Sequence, residues 1–129
     1  MNWSRFFESG NALRVSAGWA AIGVGLGAFG AHALKPVWLQ HPEGLEVWKT
    51  AVLYHLIHAV VMLMLALQGF KTWRLPWLLM LLGSLAFSGS LYLLSTLGWK
   101  FLGPVTPLGG ALLLAGWICL TVSPRRPSS

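Results

Sequence analysis

The chain has 129 residues, of which 56% are hydrophobic and only 9% are charged. Ordinary soluble domains carry roughly 25% charged residues, so the composition excludes a typical soluble domain. The net charge is +6, but the nine Lys and Arg occur as ones and twos along the chain, which excludes the clustered basic surface of a nucleic-acid-binding protein.

Four long stretches contain no Asp, Glu, Lys or Arg. They are 20, 21, 25 and 24 residues long and cover residues 15–34, 50–70, 75–99 and 101–124. Roughly 20 apolar residues of α-helix cross the hydrocarbon of a bilayer, because each residue rises about 1.5 Å. The sequence therefore predicts an all-α fold, an integral membrane four-helix bundle with short loops. All of residues 1–129 form a single transmembrane domain, with spans at about 12–34, 48–69, 75–97 and 104–122.

The first predicted span is rich in glycine. Gly23 and Gly27 are four residues apart and Gly30 follows one turn later, so this face allows close approach of a neighbouring backbone. We expect helix packing at these three glycines, and also at Gly109 and Gly110 in the last span. The apolar stretch is longer than a signal-peptide core, so we expect it to be retained as a span although Ala31-His32-Ala33 resembles a cleavage site.

The residues between the spans indicate orientation. Trp38, Trp48 and Trp99 are expected in the outer headgroup zone, and Trp73 and Trp77 in the inner one, because tryptophan favours membrane interfaces. Basic residues are more numerous on the cytoplasmic side of membrane proteins, and six against three favour both termini on that side. The six are Arg5, Arg14, Lys71, Arg74, Arg125 and Arg126, and the three are Lys35, Lys49 and Lys100.

Uncharged polar side chains inside the spans mark the place to seek a site, since polar groups are costly in lipid and usually face the bundle. With this topology they concentrate in the outer half of the membrane. In the second span Tyr54, His55 and His58 can share one helix face. The predicted polar cluster consists of His32, Tyr54, His58, Ser88, Ser90, Tyr92 and Thr106.

Three functions fit this cluster. The side chains can hydrogen-bond between helices and hold the bundle together, they can form a path for a proton, ion or small molecule, or the histidines can bind a metal or haem. His32, His55 and His58 are the candidate metal ligands. Metal sites usually add carboxylates to histidine, and the spans contain none, so we expect no metal and no cofactor. A non-enzymatic structural or accessory role is favoured, because no nucleophile has an evident base.

Several short motifs carry a family resemblance. They are Gly27-Ala-Phe-Gly-Ala-His32, Tyr54-x-x-x-His58, Phe87-Ser-Gly-Ser-Leu-Tyr92, Val105-Thr-Pro-x-Gly-Gly110 and Leu114-Ala-Gly-Trp117. Together they resemble the YgdD-like family of small four-span inner-membrane proteins of unknown function, which has eukaryotic transmembrane relatives.

The resemblance implies a multi-pass protein of the bacterial inner (plasma) membrane without an established activity. Its expected partners are the lipid bilayer and either further copies of the chain or another membrane protein, with no nucleic acid. His55 lies outside the motifs, since the family often has Gln there, which leaves His32 with His58 as the better histidine pair.

Overall fold

The computed structural model describes residues 9–123, and within this range the chain is helical with short connections and no strand. The helices are α1 (Ser9–His32), α2 (Lys35–Gln40), α3 (Pro42–Leu67), α4 (Phe70–Leu97) and α5 (Val105–Val122), and a 3-10 turn (Lys100–Leu102) precedes α5. Four segments within this range, one each around α1, α3, α4 and α5, are long and apolar enough to cross a membrane. The predicted all-α fold with four spans is confirmed.

The connection between the first two spans is itself helical. Short α2 fills most of it, and α3 begins at Pro42, six residues before the predicted start of the second span. Pro36 and Pro42 each lie in a first helical turn, where the missing N–H costs no hydrogen bond. Tyr54 therefore lies at the middle of α3, and His58 lies one turn beyond it.

Glycines in the left-handed conformation begin and end α4. Gly69 (φ 116°) precedes the helix and Gly98 (φ 65°) caps it, and a side chain at either position would be strained. Within α4 the backbone departs from helical geometry at Trp73 (φ −103°, ψ 16°), three residues before Pro76. A proline inside a helix removes one backbone hydrogen bond and disturbs the preceding turn, which accounts for the kink.

Helices α3 and α4 form the centre of the bundle. They pack against each other along their length, while α1 packs mainly on α3 and α5 mainly on α4. We call the end where α1 begins and α5 finishes the terminal end, and the other the α2 end. One apolar core lies towards each. The terminal-end core includes Ala12, Met62, Phe70, Trp77 and Met80, and the α2-end core includes Trp38, Trp48, Ala51, Leu91 and Tyr92.

Three of the tryptophans expected among lipid headgroups are instead packed inside the bundle. Trp38 and Trp48 are 7% and 5% exposed, and Trp77 is completely buried. The indole is apolar except for one N–H, and each of these N–H groups reaches an oxygen on a neighbouring helix. Trp99 is exposed as expected and stacks on Phe101, and Trp73 is half-buried. The side of the membrane on which the termini lie stays a prediction, and Arg5, Arg125 and Arg126 lie outside the described residues.

Candidate functional site

His55 is the most enclosed polar residue of α3. Its side chain is completely buried, and it stacks on the Trp19 indole of α1 with ring centroids 3.8 Å apart. Nε2 lies 2.7 Å from the Trp19 carbonyl oxygen and Nδ1 lies 2.8 Å from the Tyr92 hydroxyl of α4. A carbonyl oxygen can only accept a hydrogen bond, so Nε2 donates. In a neutral ring Nδ1 then accepts a hydrogen bond from the Tyr92 hydroxyl. His55 thus links three helices.

His58 makes an equally complete set of contacts one turn further along. Nδ1 donates to the Tyr54 carbonyl oxygen at 2.7 Å, and Nε2 accepts from the Trp117 indole N–H of α5 at 3.1 Å. A neutral imidazole has one donor and one acceptor, and here both are used. Neither nitrogen of His55 or His58 is left over to ligate a metal.

The hydroxyl groups of α4 also serve helix contacts. Ser88 donates to the Ala51 carbonyl oxygen of α3 at 2.8 Å, and the Ser90 and Thr106 hydroxyls lie 2.6 Å apart across the interface with α5. Neither serine is hydrogen-bonded to a histidine, so no nucleophile–base pair is formed. The predicted cluster is therefore divided into separate interhelical bonds.

His32 does not join the cluster. It is exposed at the last residue of α1, and the neighbouring Gly30 faces Trp48, near the start of α3. Because Gly23 faces His55 and Leu56, the helices run antiparallel and His32 lies level with residue 46. His58 is twelve residues further along, or roughly 18 Å at about 1.5 Å per residue. This corrects the predicted pairing of His32 with His58. Within residues 9–123, no group of three or more His, Cys, Asp or Glu is placed to hold a metal ion.

A second polar network, absent from the predicted cluster, lies towards the terminal end. The Trp77 indole donates to the Ser16 hydroxyl at 2.9 Å, and Ser16 donates to the Ala12 carbonyl oxygen at 2.7 Å. The Trp19 indole donates to the Ser84 hydroxyl at 2.9 Å. The expectation that polar groups concentrate in the outer half is thus incomplete. The spacing of these residues could have indicated this network, because Ser16 and Trp19 share a face of α1, as Trp77 and Ser84 do on α4.

Glycines bring α1 close to α3. A Cβ at position 30 would overlap the Trp48 indole, and one at position 23 would lie 2.7 Å from a Leu56 methyl. At Gly27 a Cβ would lie 3.3 Å from Val52, which is a tight contact. These three positions allow the approach that brings Trp19 onto His55.

The two predicted packing glycines of α5 differ from each other. A Cβ at position 109 would lie 2.8 Å from the Phe87 Cα and closer still to its backbone nitrogen. At position 110 it would lie 3.7 Å from the Phe87 ring, an ordinary contact. Gly83, which was not predicted, faces the Leu113 backbone nitrogen at 2.9 Å from a would-be Cβ. Gly83 and Gly109 therefore set the spacing of α4 and α5.

The remaining opening beside these residues is a groove of about 560 Å³ between α3 and α5. Tyr54, His58 and Trp117 line it together with apolar residues, and Tyr54 is 40% exposed. No buried side-chain nitrogen or oxygen in the described part of the chain lacks a hydrogen-bond partner. The polar groups are saturated by one another, which suits holding helices together better than binding a charged ligand.

Comparison with known proteins places the chain in a family. The family described as "Protein of unknown function (DUF423)" matches residues 26–110, about two thirds of the chain. The chain belongs to the DUF423 family. It is 41% identical to UPF0382 membrane protein YwdK of Bacillus subtilis over 110 residues, covering 81% of this chain and 87% of YwdK. No solved structure matches.

Similar proteins occur in another bacterium and in a eukaryote. UPF0382 membrane protein SAB0533 of Staphylococcus aureus is 38% identical, covering 81% of this chain and 86% of that protein. UPF0382 membrane protein C1782.12c of Schizosaccharomyces pombe is 37% identical, covering 78% and 90%. The resemblance to small membrane proteins of unknown function is therefore confirmed, although these relatives carry the UPF0382 name rather than a YgdD-like one.

The DUF423 match includes part of the polar framework. Residues 26–110 contain His55, Tyr92 and Thr106, whereas Trp19 and Trp117 lie outside it. The histidine-centred bonds thus join the matched region to the flanking parts of α1 and α5.

Proposed function

We propose that this DUF423 protein is a non-enzymatic structural or accessory membrane component, and that its intramembrane polar residues serve to hold the four spans in one arrangement. The observation that supports this most strongly is the saturation of its buried polar atoms: within residues 9–123, each buried side-chain nitrogen or oxygen has a partner. A further copy of the chain or another membrane protein is the proposed associate.

The contacts of the histidines favour this role over catalysis. A general base needs a nitrogen that can take a substrate proton, but His55 and His58 use both ring nitrogens in contacts with the protein. They also favour it over transport, because a path needs polar groups in series across the membrane. Here Ser88, Ser90 and Tyr92 are each bonded separately to another helix.

Transport is tested by reconstituting the purified protein in sealed liposomes that contain a pH-sensitive dye, with an imposed pH gradient. We expect proton flux equal to that of protein-free liposomes, for the wild type and for His58→Ala. Wild-type flux above the protein-free level that His58→Ala abolishes would refute the structural role and support a proton path.

We further propose that the protein lies in the bacterial inner membrane with both termini in the cytoplasm, since the basic residues are more numerous on the terminal side. The position of the C-terminus is tested by fusing a reporter protein after the last residue. A fluorescent protein there is expected to fluoresce and alkaline phosphatase to be inactive, because the phosphatase matures only outside the cytoplasm. A non-fluorescent fusion together with an active phosphatase fusion would place the C-terminus outside the cytoplasm and refute this topology.

A further inference from the structure

A second groove lies between α1 and α3, on their outward surface near the α2 end. It consists of two adjoining cavities of about 320 and 520 Å³ that share Gly30, Ala31, Leu45 and Lys49. Because the two cavities have these lining residues in common, they adjoin each other and form one groove along the surface of the bundle.

The mouth of this groove is basic. Lys35 at the start of α2 and Lys49 in α3 both line its wider part and both are exposed. Nζ of Lys49 is 3.2 Å from a Glu46 carboxylate oxygen, which uses one of its three donors. No ion pair involves Lys35 among the residues that the structure describes. Two ammonium groups, only one of them partly neutralised, therefore flank the opening.

The deeper part of the groove is apolar. It continues past Gly27 and Val52 to Leu53 and Leu56. Leu56 is seven residues beyond Lys49 on α3, so the groove descends by about 10 Å at about 1.5 Å per residue. Gly27 and Gly30 form the α1 wall of this part, opposite Val52 and Trp48 of α3. A basic mouth above an apolar channel of this depth matches a molecule with an anionic head and a hydrocarbon tail.

We propose that this groove binds one anionic phospholipid, with its phosphate between Lys35 and Lys49 and the upper part of one acyl chain between α1 and α3. A free anion would leave the apolar channel unfilled, and a zwitterionic lipid would bring no net negative charge to the two lysines. The site is separate from the histidine contacts that support the proposed function.

The test uses the full-length protein purified in a mild detergent. It is mixed with equal amounts of palmitoyl-oleoyl phosphatidylglycerol and palmitoyl-oleoyl phosphatidylcholine, and native mass spectrometry measures the lipid retained. We expect one retained lipid, with phosphatidylglycerol preferred by about fivefold or more, since each lysine near an anionic headgroup is worth about fivefold in affinity. The double variant Lys35→Gln/Lys49→Gln is expected to lose the preference.

Matched variants separate the groove from general effects. Lys71→Gln/Lys100→Gln removes the same charge elsewhere and is expected to keep the preference. Ala31→Phe fills the groove and is expected to reduce retention of both lipids, whereas Ala28→Phe, exposed on the same helix but outside the groove, is not. Equal retention of the two lipids by the wild type, equal loss of preference in the two lysine variants, or unchanged retention in Ala31→Phe would each overturn the proposal.

Discussion

The contrast between Gly109 and Gly110 gives the sharpest test of how the last span is held. In Gly109→Ala the new methyl would meet backbone atoms of Phe87, which cannot move away by side-chain rotation. An ordinary van der Waals contact of a Cβ atom is at least 3.4 Å long, whereas the new methyl would lie 2.8 Å from the Phe87 Cα. Helices α4 and α5 must therefore separate locally by roughly half an ångström or more. In Gly110→Ala the methyl meets only the Phe87 ring, at 3.7 Å.

The expected magnitudes follow from this geometry. Overpacking of a well-packed interface costs about 1–3 kcal/mol, and backbone contact favours the upper part of that range. Alanine is also better than glycine inside a helix by about 1 kcal/mol, a gain that both variants share. We therefore expect Gly109→Ala to lower the free energy of unfolding by about 1–2 kcal/mol, and Gly110→Ala to leave it unchanged or raise it by up to about 1 kcal/mol.

The assay is equilibrium unfolding of the purified protein in mixed micelles titrated with sodium dodecyl sulfate, followed by tryptophan fluorescence. Gly110→Ala is the internal control, because it makes the same chemical change at the next position of the same helix. Equal stability of the two variants would show that α5 does not pack against Phe87 through Gly109, and the described α4–α5 interface would be refuted.

Three further predictions concern the polar residues. Tyr92→Phe removes the hydroxyl bonded to His55 and is expected to lower the free energy of unfolding by about 0.6–2 kcal/mol in the same assay. Tyr54→Phe is the control, since the Tyr54 hydroxyl makes no described hydrogen bond, and it is expected to change stability little. Equal effects of the two variants would contradict the bond between Tyr92 and His55. Treatment with EDTA is expected to leave the melting temperature unchanged, because both ring nitrogens of His55 and of His58 are already bonded within the protein. A clear fall would point to a bound metal. His32→Ala is expected to leave stability within about 0.5 kcal/mol of the wild type, since the side chain is exposed at a helix end, and a larger loss would place it in a contact that the structure lacks.

Much of the fold could be predicted because the bilayer imposes a length and a composition on every span. The uncharged stretches predict four helices, and the few residues between the second and third spans require these two helices to be antiparallel neighbours. The structure shortens this connection further, because α4 already begins at Phe70 and only residues 68 and 69 separate it from α3. The start of α3 at Pro42 was missed, because the charges of Glu43, Glu46 and Lys49 resemble a loop when only hydropathy is read. They are acceptable in a helix that extends beyond the hydrocarbon.

The site was harder to predict because periodicity assigns residues to a face but does not say which helix that face meets. His55 and His58 are three residues apart and are expected to share one helix face, yet one bonds to α1 and α4 and the other to α5. His55 departs from the family motif, which disfavours it as a site residue, yet it is the more buried of the two histidines. Its partners, a backbone carbonyl and a tyrosine, leave no recognisable spacing in the sequence.

The indole N–H groups explain how a helix as poor in large apolar side chains as α1 stays attached to the bundle. Glycine and alanine bury little area, so the hydrophobic contribution per residue is small. Four indole hydrogen bonds compensate, each joining α1 to another helix and each 2.7–3.0 Å long. Their donors are Trp19, Trp38, Trp48 and Trp77. An indole needs space beside the partner backbone, and Gly30 supplies it for Trp48. The glycines and tryptophans of this chain therefore act together. The glycines allow the helices to approach closely, and the indole hydrogen bonds then hold them in that position.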